Sequence, residues 1–140
     1  MRAAAIDLGK VRVGLAIADE LGLMAHPRPH LDGRNRRMLL ESLAGFAEEE
    51  GISLFLVGLP RTLGGLEGPP ARRARRFATE LGVRTGLRVE LVDERLTTRE
   101  ARSRLQGQGM NERKIRGRID SAAAAVLLQA WLDRKPERER

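Results

Sequence analysis

The feature that most constrains this chain is the stretch Ile6-Asp7-Leu8-Gly9-Lys10-Val11-Arg12-Val13-Gly14-Leu15-Ala16-Ile17-Ala18-Asp19. An apolar run, Ala3 to Ile6, delivers one carboxylate to the end of a strand; a short glycine-containing turn follows, and a second apolar run leads away. Residues 2–8 and 12–18 therefore read as two antiparallel strands joined at Gly9–Arg12. An acid at the end of so apolar a strand needs a partner or a metal, because an isolated charge is costly to take out of water. The glycines beside it allow a phosphate to approach the backbone closely. Asp19, closing the second strand, points to the opposite edge and reads as a turn residue.

Composition narrows the classes. The chain has 140 residues, 41% of them hydrophobic, which fits one folded domain with its own core. That domain is expected over residues 1–134, with a charged, frayed tail over 135–140. There is no cysteine, which excludes disulfides and thiolate metal sites. No apolar run approaches the roughly 18–20 residues that span a bilayer, and a strand-like segment stands where a signal peptide would. The expectation is a cytoplasmic protein without membrane contact. Lys plus Arg outnumber acids 26 to 19, a net charge of +7, and 23 of those cations are Arg. The guanidinium fork matches phosphate in a way the Lys ammonium does not, so the excess favours polyanionic partners such as RNA or DNA. Aromatic residues make up only 3% and Tyr is absent, so bases have few platforms to stack on and the backbone is the expected handle.

Beyond the hairpin, a third strand is expected within 22–31, at a sheet edge because Pro27 and Pro29 interrupt it. Leu39, Leu40, Leu43, Phe46 and Ala47 follow helical spacing between Asn35 and Glu50, and Gly51 stops that helix. Residues 52–59 form an almost wholly apolar strand, as expected for one buried on both faces. A second helix runs from Pro70 to Leu81 and a further strand over 89–92. Thr97 and Glu100 are spaced as the capping box of a third helix. An Ala-rich fourth helix covers Ser121 to Leu132. Three strands followed by α-β-α-β-α predict an α/β fold: a mixed five-stranded sheet, its first three strands antiparallel and the next two parallel, flanked by helices. The segment Gln106 to Arg118 reads as a mobile basic loop.

Four acids end or begin apolar segments: Asp7, Asp93, Glu94 and Asp120. Two-metal phosphodiester hydrolysis needs such carboxylates converging on cations about 3.5–4 Å apart, and Mg²⁺ suits oxygen ligands of this kind. If strands 2–8 and 89–93 are parallel, their carboxyl ends share one edge, where open α/β sheets bind ligands. Each acid except Asp7 has a plainer alternative. Asp120 could cap the last helix, and Asp93 or Glu94 could form a surface ion pair with Arg95. His26 and His30 are the only histidines and read as solvated loop residues. The arginines Arg72, Arg73, Arg75 and Arg76 read either as a solvated helix face or as a phosphate contact. Span 95–118, with eight cations against two acids, fits a phosphate-holding rim.

Four blocks, in order, resemble the YqgF family, also called RuvX, of Holliday-junction-resolvase-like nucleases. They are Asp7-x-Gly9 with Arg12-x-Gly14-x-Ala16 and Asp19; Val57-Gly58-Leu59-Pro60 with Gly65 and Glu67-Gly68-Pro69; Asp93-Glu94-Arg95-Leu96-Thr97-Thr98-x-Glu100-Ala101; and Ile119-Asp120-Ser121-Ala122-Ala123-Ala124. The resemblance implies an RNase H-like fold and a metal-dependent nuclease that matures the 5′ end of pre-16S rRNA, junction resolution being the older suggestion. It places Asp7, Glu94 and Asp120 in the catalytic, metal-binding roles, with Asp93 as a further candidate ligand and Mg²⁺ or Mn²⁺ as the ion. Arg12 and Arg95 become phosphate contacts. Gly9, Lys10, Thr97, Thr98, Arg113, Lys114 and Arg116 complete the expected nucleic-acid-binding set.

One departure stands out. Many RNase H-like nucleases carry an acid at the end of the strand after the first helix, whereas this chain reads Val57-Gly58-Leu59-Pro60 there, so Glu94 must substitute. Position 123 in the last helix is Ala, where a second inward acid could have stood. That depleted set keeps a second reading open, an RNA-binding assembly factor with weak catalysis. Within nucleases the alternative is a resolvase of branched DNA, which cuts two strands and needs two active sites; monomer and homodimer both remain open. A nucleotide phosphotransferase also uses Asp-x-Gly, but clamps its nucleotide between two such domains, and this chain has one.

Overall fold

The computed structural model describes residues 2–97, 99–107 and 119–134, with Leu96, Ile119 and Asp120 described by backbone alone. Its strands are β1 (Ala3–Leu8), β2 (Arg12–Ala18), β3 (Ala25–Asp32), β4 (Leu54–Leu59) and β5 (Arg88–Asp93). The helices are α1 (Arg36–Glu50), α2 (Pro69–Thr85), α3 (Arg99–Gly107) and α4 (Ile119–Asp133), with one 3₁₀ turn at Glu94–Leu96. The sheet order is β3-β2-β1-β4-β5. The β1–β2 and β2–β3 pairs are antiparallel, whereas β1–β4 and β4–β5 are parallel. This is the expected mixed sheet, and it brings the carboxyl ends of β1, β4 and β5 to one edge.

Local chemistry explains the boundaries. Asn35 caps α1, its side chain accepting from the Met38 amide, and Gly51 ends the helix in the left-handed conformation at φ 66°. Pro69 and Pro70 occupy the first turn of α2, where a missing N–H costs nothing. That helix runs to Thr85, one turn beyond the apolar periodicity, before Gly86 closes it. Pro27 and Pro29 are tolerated because β3 is an edge strand. His26 and His30 are exposed on that strand and not in a loop. Asp19 is the turn residue expected, its carboxylate accepting from the Leu23 and Met24 amides.

Strand alternation splits the core in two. Ala4, Ile6, Phe55 and Val57 pack with α1 and α2 on one face, while Ala3, Ala5, Leu54, Leu56 and Val92 pack with α3 and α4 on the other. Helix α4 is apolar on nearly every side and lies across β1, β2 and β3. Two buried polar side chains fix it there. Ser121 Oγ accepts from the Leu15 amide at 3.3 Å, beside an irregularity in the β2–β3 register. Gln129 Oε1 accepts from the Ala25 amide at 2.9 Å, and its Nε2 donates to the Leu23 carbonyl and to Asp133, each at 3.0 Å. Among the described residues no helix is long and apolar enough to cross a membrane.

Candidate functional site

Asp7 is the next residue of β1 after Ile6, which is paired with Val57, so Asp7 stands level with Gly58 of β4; Gly58 in turn pairs with Val92 of β5. Val92 packs on the α4 face, which places this row of three on that face. Asp7 and the end of β5 are thus two strands apart, too far for short carboxylates on flat strands to meet. Two features close the distance. The chain leaves β5 through a 3₁₀ turn, which swings Glu94 back over the sheet edge. Gly58 then supplies the room: a Cβ there would stand 2.8 Å from Glu94 Oε1, 3.3 Å from its Cγ and 3.4 Å from Leu127 Cδ2. The space that a side chain at position 58 would take is therefore occupied by Glu94.

Glu94 hydrogen-bonds Asp7 in a cavity of about 210 Å³ lined also by Thr97, Arg102, Ala123, Val126 and Leu127. Burial against the apolar floor of α4 and the neighbouring Asp7 charge push the Glu94 carboxyl up to about 7. Two carboxylates this close in a part-buried site cannot both ionise without a counter-charge. A cation beside them would relieve that cost. Thr97 braces the turn, both its amide and its hydroxyl donating to the Glu94 carbonyl, at 3.2 and 2.9 Å.

Asp93 has a different part. Its carboxylate receives Arg95 in a fork with contacts of 2.7–3.1 Å and lies 3.5 Å from Arg61, and those cations hold its pKa down at about 2. The surface-pair alternative thus describes Asp93, while Glu94 turns the other way. Arg61 and Arg75 also grip Glu67, at 3.1 and 2.6 Å, so the loop after β4 is tied to the end of β5. Arg95 lies against Gly65, whose φ of 84° only glycine adopts freely.

The other expected site residues fall as follows. Gly9 permits the turn after β1, since a Cβ there would lie 2.2 Å from the Arg12 carbonyl oxygen. Lys10 lies in that turn, and Arg12 is exposed at the start of β2. Asp120 is the second residue of α4, one turn before Ala123 and two before Leu127. It stands inside the helix and not at its cap position. Its side chain, together with Thr98, Arg113, Lys114, Arg116 and the rest of segment 108–118, lies outside the described residues, as does 135–140. Among the described residues no three acids or histidines form a metal-holding group. Arg102 was counted in the basic span without being singled out. Only the docking of α3 on α4 brings it to the cavity.

A sheet in the order 3-2-1-4-5, with acids converging at the carboxyl edge of its parallel strands, is an RNase H-like fold. Solved structures agree on that fold. A Thermus thermophilus RuvC in complex with a Holliday junction substrate superposes with a TM-score of 0.59 at 16% identity, covering 97% of this chain and 96% of that one. A fowlpox virus resolvase bound to junction DNA superposes at 0.55 and 11%, covering 95% and 97%. The chain belongs to the RuvX family, described as Holliday junction resolvase, whose model matches residues 1–134. Among its relatives, a "Putative pre-16S rRNA nuclease" of Anaeromyxobacter sp. (strain Fw109-5) is 49% identical over 95% of this chain and 97% of its own length. A Picosynechococcus sp. protein of the same description is 35% identical over 91% and 89%.

Proposed function

We propose that this nuclease is a divalent-metal-dependent endonuclease that acts on structured RNA and processes the 5′ end of pre-16S rRNA. The observation that carries the reading is the Asp7–Glu94 pair: two carboxylates drawn together across two strands, with burial and the Asp7 charge pushing the Glu94 carboxyl up to about 7. Such a donor set fits a hard cation, whose charge would offset the repulsion between them. Asp7, Glu94 and Asp120 would hold Mg²⁺ or Mn²⁺. The ion supplies Lewis-acid polarisation of the phosphate and makes water a competent nucleophile near neutral pH.

The chain's own residues do the rest. Gly58 and Thr97 set the position of the Glu94 carboxylate. Arg102, on the cavity wall, offsets the negative charge that develops on the phosphoryl oxygens. Arg12, and Arg95 once released from Asp93, hold flanking phosphates. The Ala123, Val126 and Leu127 floor keeps the site apolar on one side, which strengthens each of these charges.

The test is incubation of the wild type and Asp7→Asn with precursor 16S rRNA and with a four-way DNA junction, with and without Mg²⁺ or Mn²⁺. Metal-dependent cleavage of the rRNA by the wild type alone, with RNA binding retained in the variant, is the expected result. Cleavage by Asp7→Asn at the wild-type rate would sink the proposal. The family description favours junction resolution as the second reading. Preferential cutting of the junction, in symmetric pairs by a dimer, would select it.

A further inference from the structure

The strand that delivers Asp7 to one face of the sheet delivers Leu8 to the other, and a second cavity lies there. It has a volume of about 150 Å³ and is lined by Leu8, Gly9, Lys10, Gly33, Arg36, Leu39, Arg73 and Phe77. Its floor is backbone and apolar side chain. A Cβ on Gly33 would lie 2.7 Å from Val13 Cγ2 and 3.3 Å from the Gly9 carbonyl oxygen, so the two glycine segments close on one another without side chains. The Gly33 amide donates to the Val11 carbonyl at 2.7 Å, locking the β1–β2 turn onto the end of β3.

Three cations surround this floor and acids supply little to balance them. Arg36 pairs with Glu80 through one Nη at 3.0 Å. Lys10 and Arg73 have no carboxylate partner among the described residues, and Arg73 Nε is buried with no hydrogen-bond acceptor. Arg75, two residues along the same helix, is by contrast held by a full carboxylate fork on Glu67. Cations without carboxylate partners gathered at one cavity repel one another, and an anion placed there would offset that repulsion.

We propose that this cavity is a phosphate subsite, in which Lys10, Arg36 and Arg73 hold a backbone phosphodiester of the nucleic acid next to the one at the acid pair. The inference rests on the nucleic-acid reading above and extends it to the opposite face of the sheet. The β1–β2 turn lies between the two cavities, so a strand crossing that turn can present a phosphate to each. The substrate is then gripped on both sides of β1, and its register over Asp7 is set by cations that take no part in the chemistry.

The experiment is equilibrium binding of a labelled RNA hairpin in EDTA, which makes the readout independent of cleavage. Wild type, Arg73→Gln, Lys10→Gln and Arg73→Lys are compared with Arg37→Gln, which removes the same charge from the exposed side of α1. Arg73→Gln and Lys10→Gln are expected to weaken binding about tenfold and to flatten the dependence of log K on log salt by about 0.7–0.9, the value of one lost phosphate contact. Arg73→Lys should recover part of the affinity and Arg37→Gln should change little. Equal losses in Arg37→Gln and Arg73→Gln would overturn the proposal in favour of a diffuse positive field. Inorganic phosphate that raises the Tm of wild type but not of Arg73→Gln, with RNA affinity equal in both, would overturn it in favour of a free-anion site. A wild type that cuts nothing with any metal, yet loses RNA affinity in Arg73→Gln, would leave the subsite standing while the nuclease reading falls.

Discussion

Gly58 decides where Glu94 can stand, and that gives the most local prediction. Gly58→Ala puts a methyl 2.8 Å from Glu94 Oε1. The carboxylate must move away from Asp7, and displacements near 1 Å in a catalytic site can cost about a hundredfold in rate. Cleavage is expected to fall at least tenfold with little loss of stability, because the atom in the way is the end of a flexible side chain; a variant as active as wild type would show that Glu94 does not act from this position. Glu94 itself makes stability depend on pH. Its folded-state pKa of about 7 lies above the ordinary 4.5, so the folded metal-free protein holds that proton more tightly than the unfolded chain does. The resulting stabilisation is fully present below 4.5 and is lost as pH rises through about 7. Thermal unfolding in EDTA should therefore show Tm declining across that window in the wild type and a flatter profile in Glu94→Gln. Parallel profiles would contradict the burial of Glu94 beside Asp7. Asp93 has the opposite sign: its arginine partners stabilise the fold above the usual carboxylate range, and that gain goes as pH falls through about 2.

At the scale of elements, α4 serves both the core and the site. Its apolar surface covers the β1–β3 side of the sheet, and Ser121 and Gln129 fix its position along and around its own axis. Burial is non-directional and would tolerate a helix slid or rotated by part of a turn, whereas buried hydrogen bonds to the Leu15 and Ala25 amides would not. Gln129→Leu keeps the volume and leaves the Ala25 amide without this acceptor. A loss of about 1–3 kcal/mol is expected, read as a lower urea midpoint at unchanged m-value. Because Ala123, Val126 and Leu127 form the cavity floor, the same variant should also lose activity below the temperature at which it unfolds; full activity there would mean the floor tolerates a shifted helix. The short turn after β5 is the other element that matters, since it converts a strand end into an inward-facing acid. The reading of 97–100 as a capping box concerned only the helix beyond. The signal for the turn was present in Asp93, whose carboxylate accepts from the Arg95 amide, but a single acid-to-amide contact is not distinctive in a sequence.

For the whole molecule, the net charge of +7 and the near absence of aromatic side chains point to backbone-dominated binding. If about four phosphates are held, affinity for RNA should fall roughly a hundredfold between 50 and 200 mM salt. Salt-insensitive binding would instead point to base contacts, for which the chain has few suitable residues. Charge alone does not say where the phosphates lie. Two of the arginines that read as phosphate contacts are occupied within the fold: Arg75 by Glu67 and Arg95 by Asp93. Arg73, on the same helix as the first, is not.

The residue order alone determined the strands and helices, the edge position of β3 and the placing of Asp7 at a strand end, because hydrophobic period, proline and glycine act over a few residues. The family resemblance, and not the residue order by itself, added the expectation that Glu94 stands in for an acid on β4. Only the tertiary structure decided that Glu94 turns inward while its neighbour Asp93 turns to Arg95 and Arg61. It alone made Gly58 the space for that carboxylate, and it alone brought Arg102 to one cavity and Lys10, Arg36 and Arg73 to another. Those outcomes depend on contacts between strands, helices and loops far apart in the chain, and a contact of that kind leaves no local pattern to read.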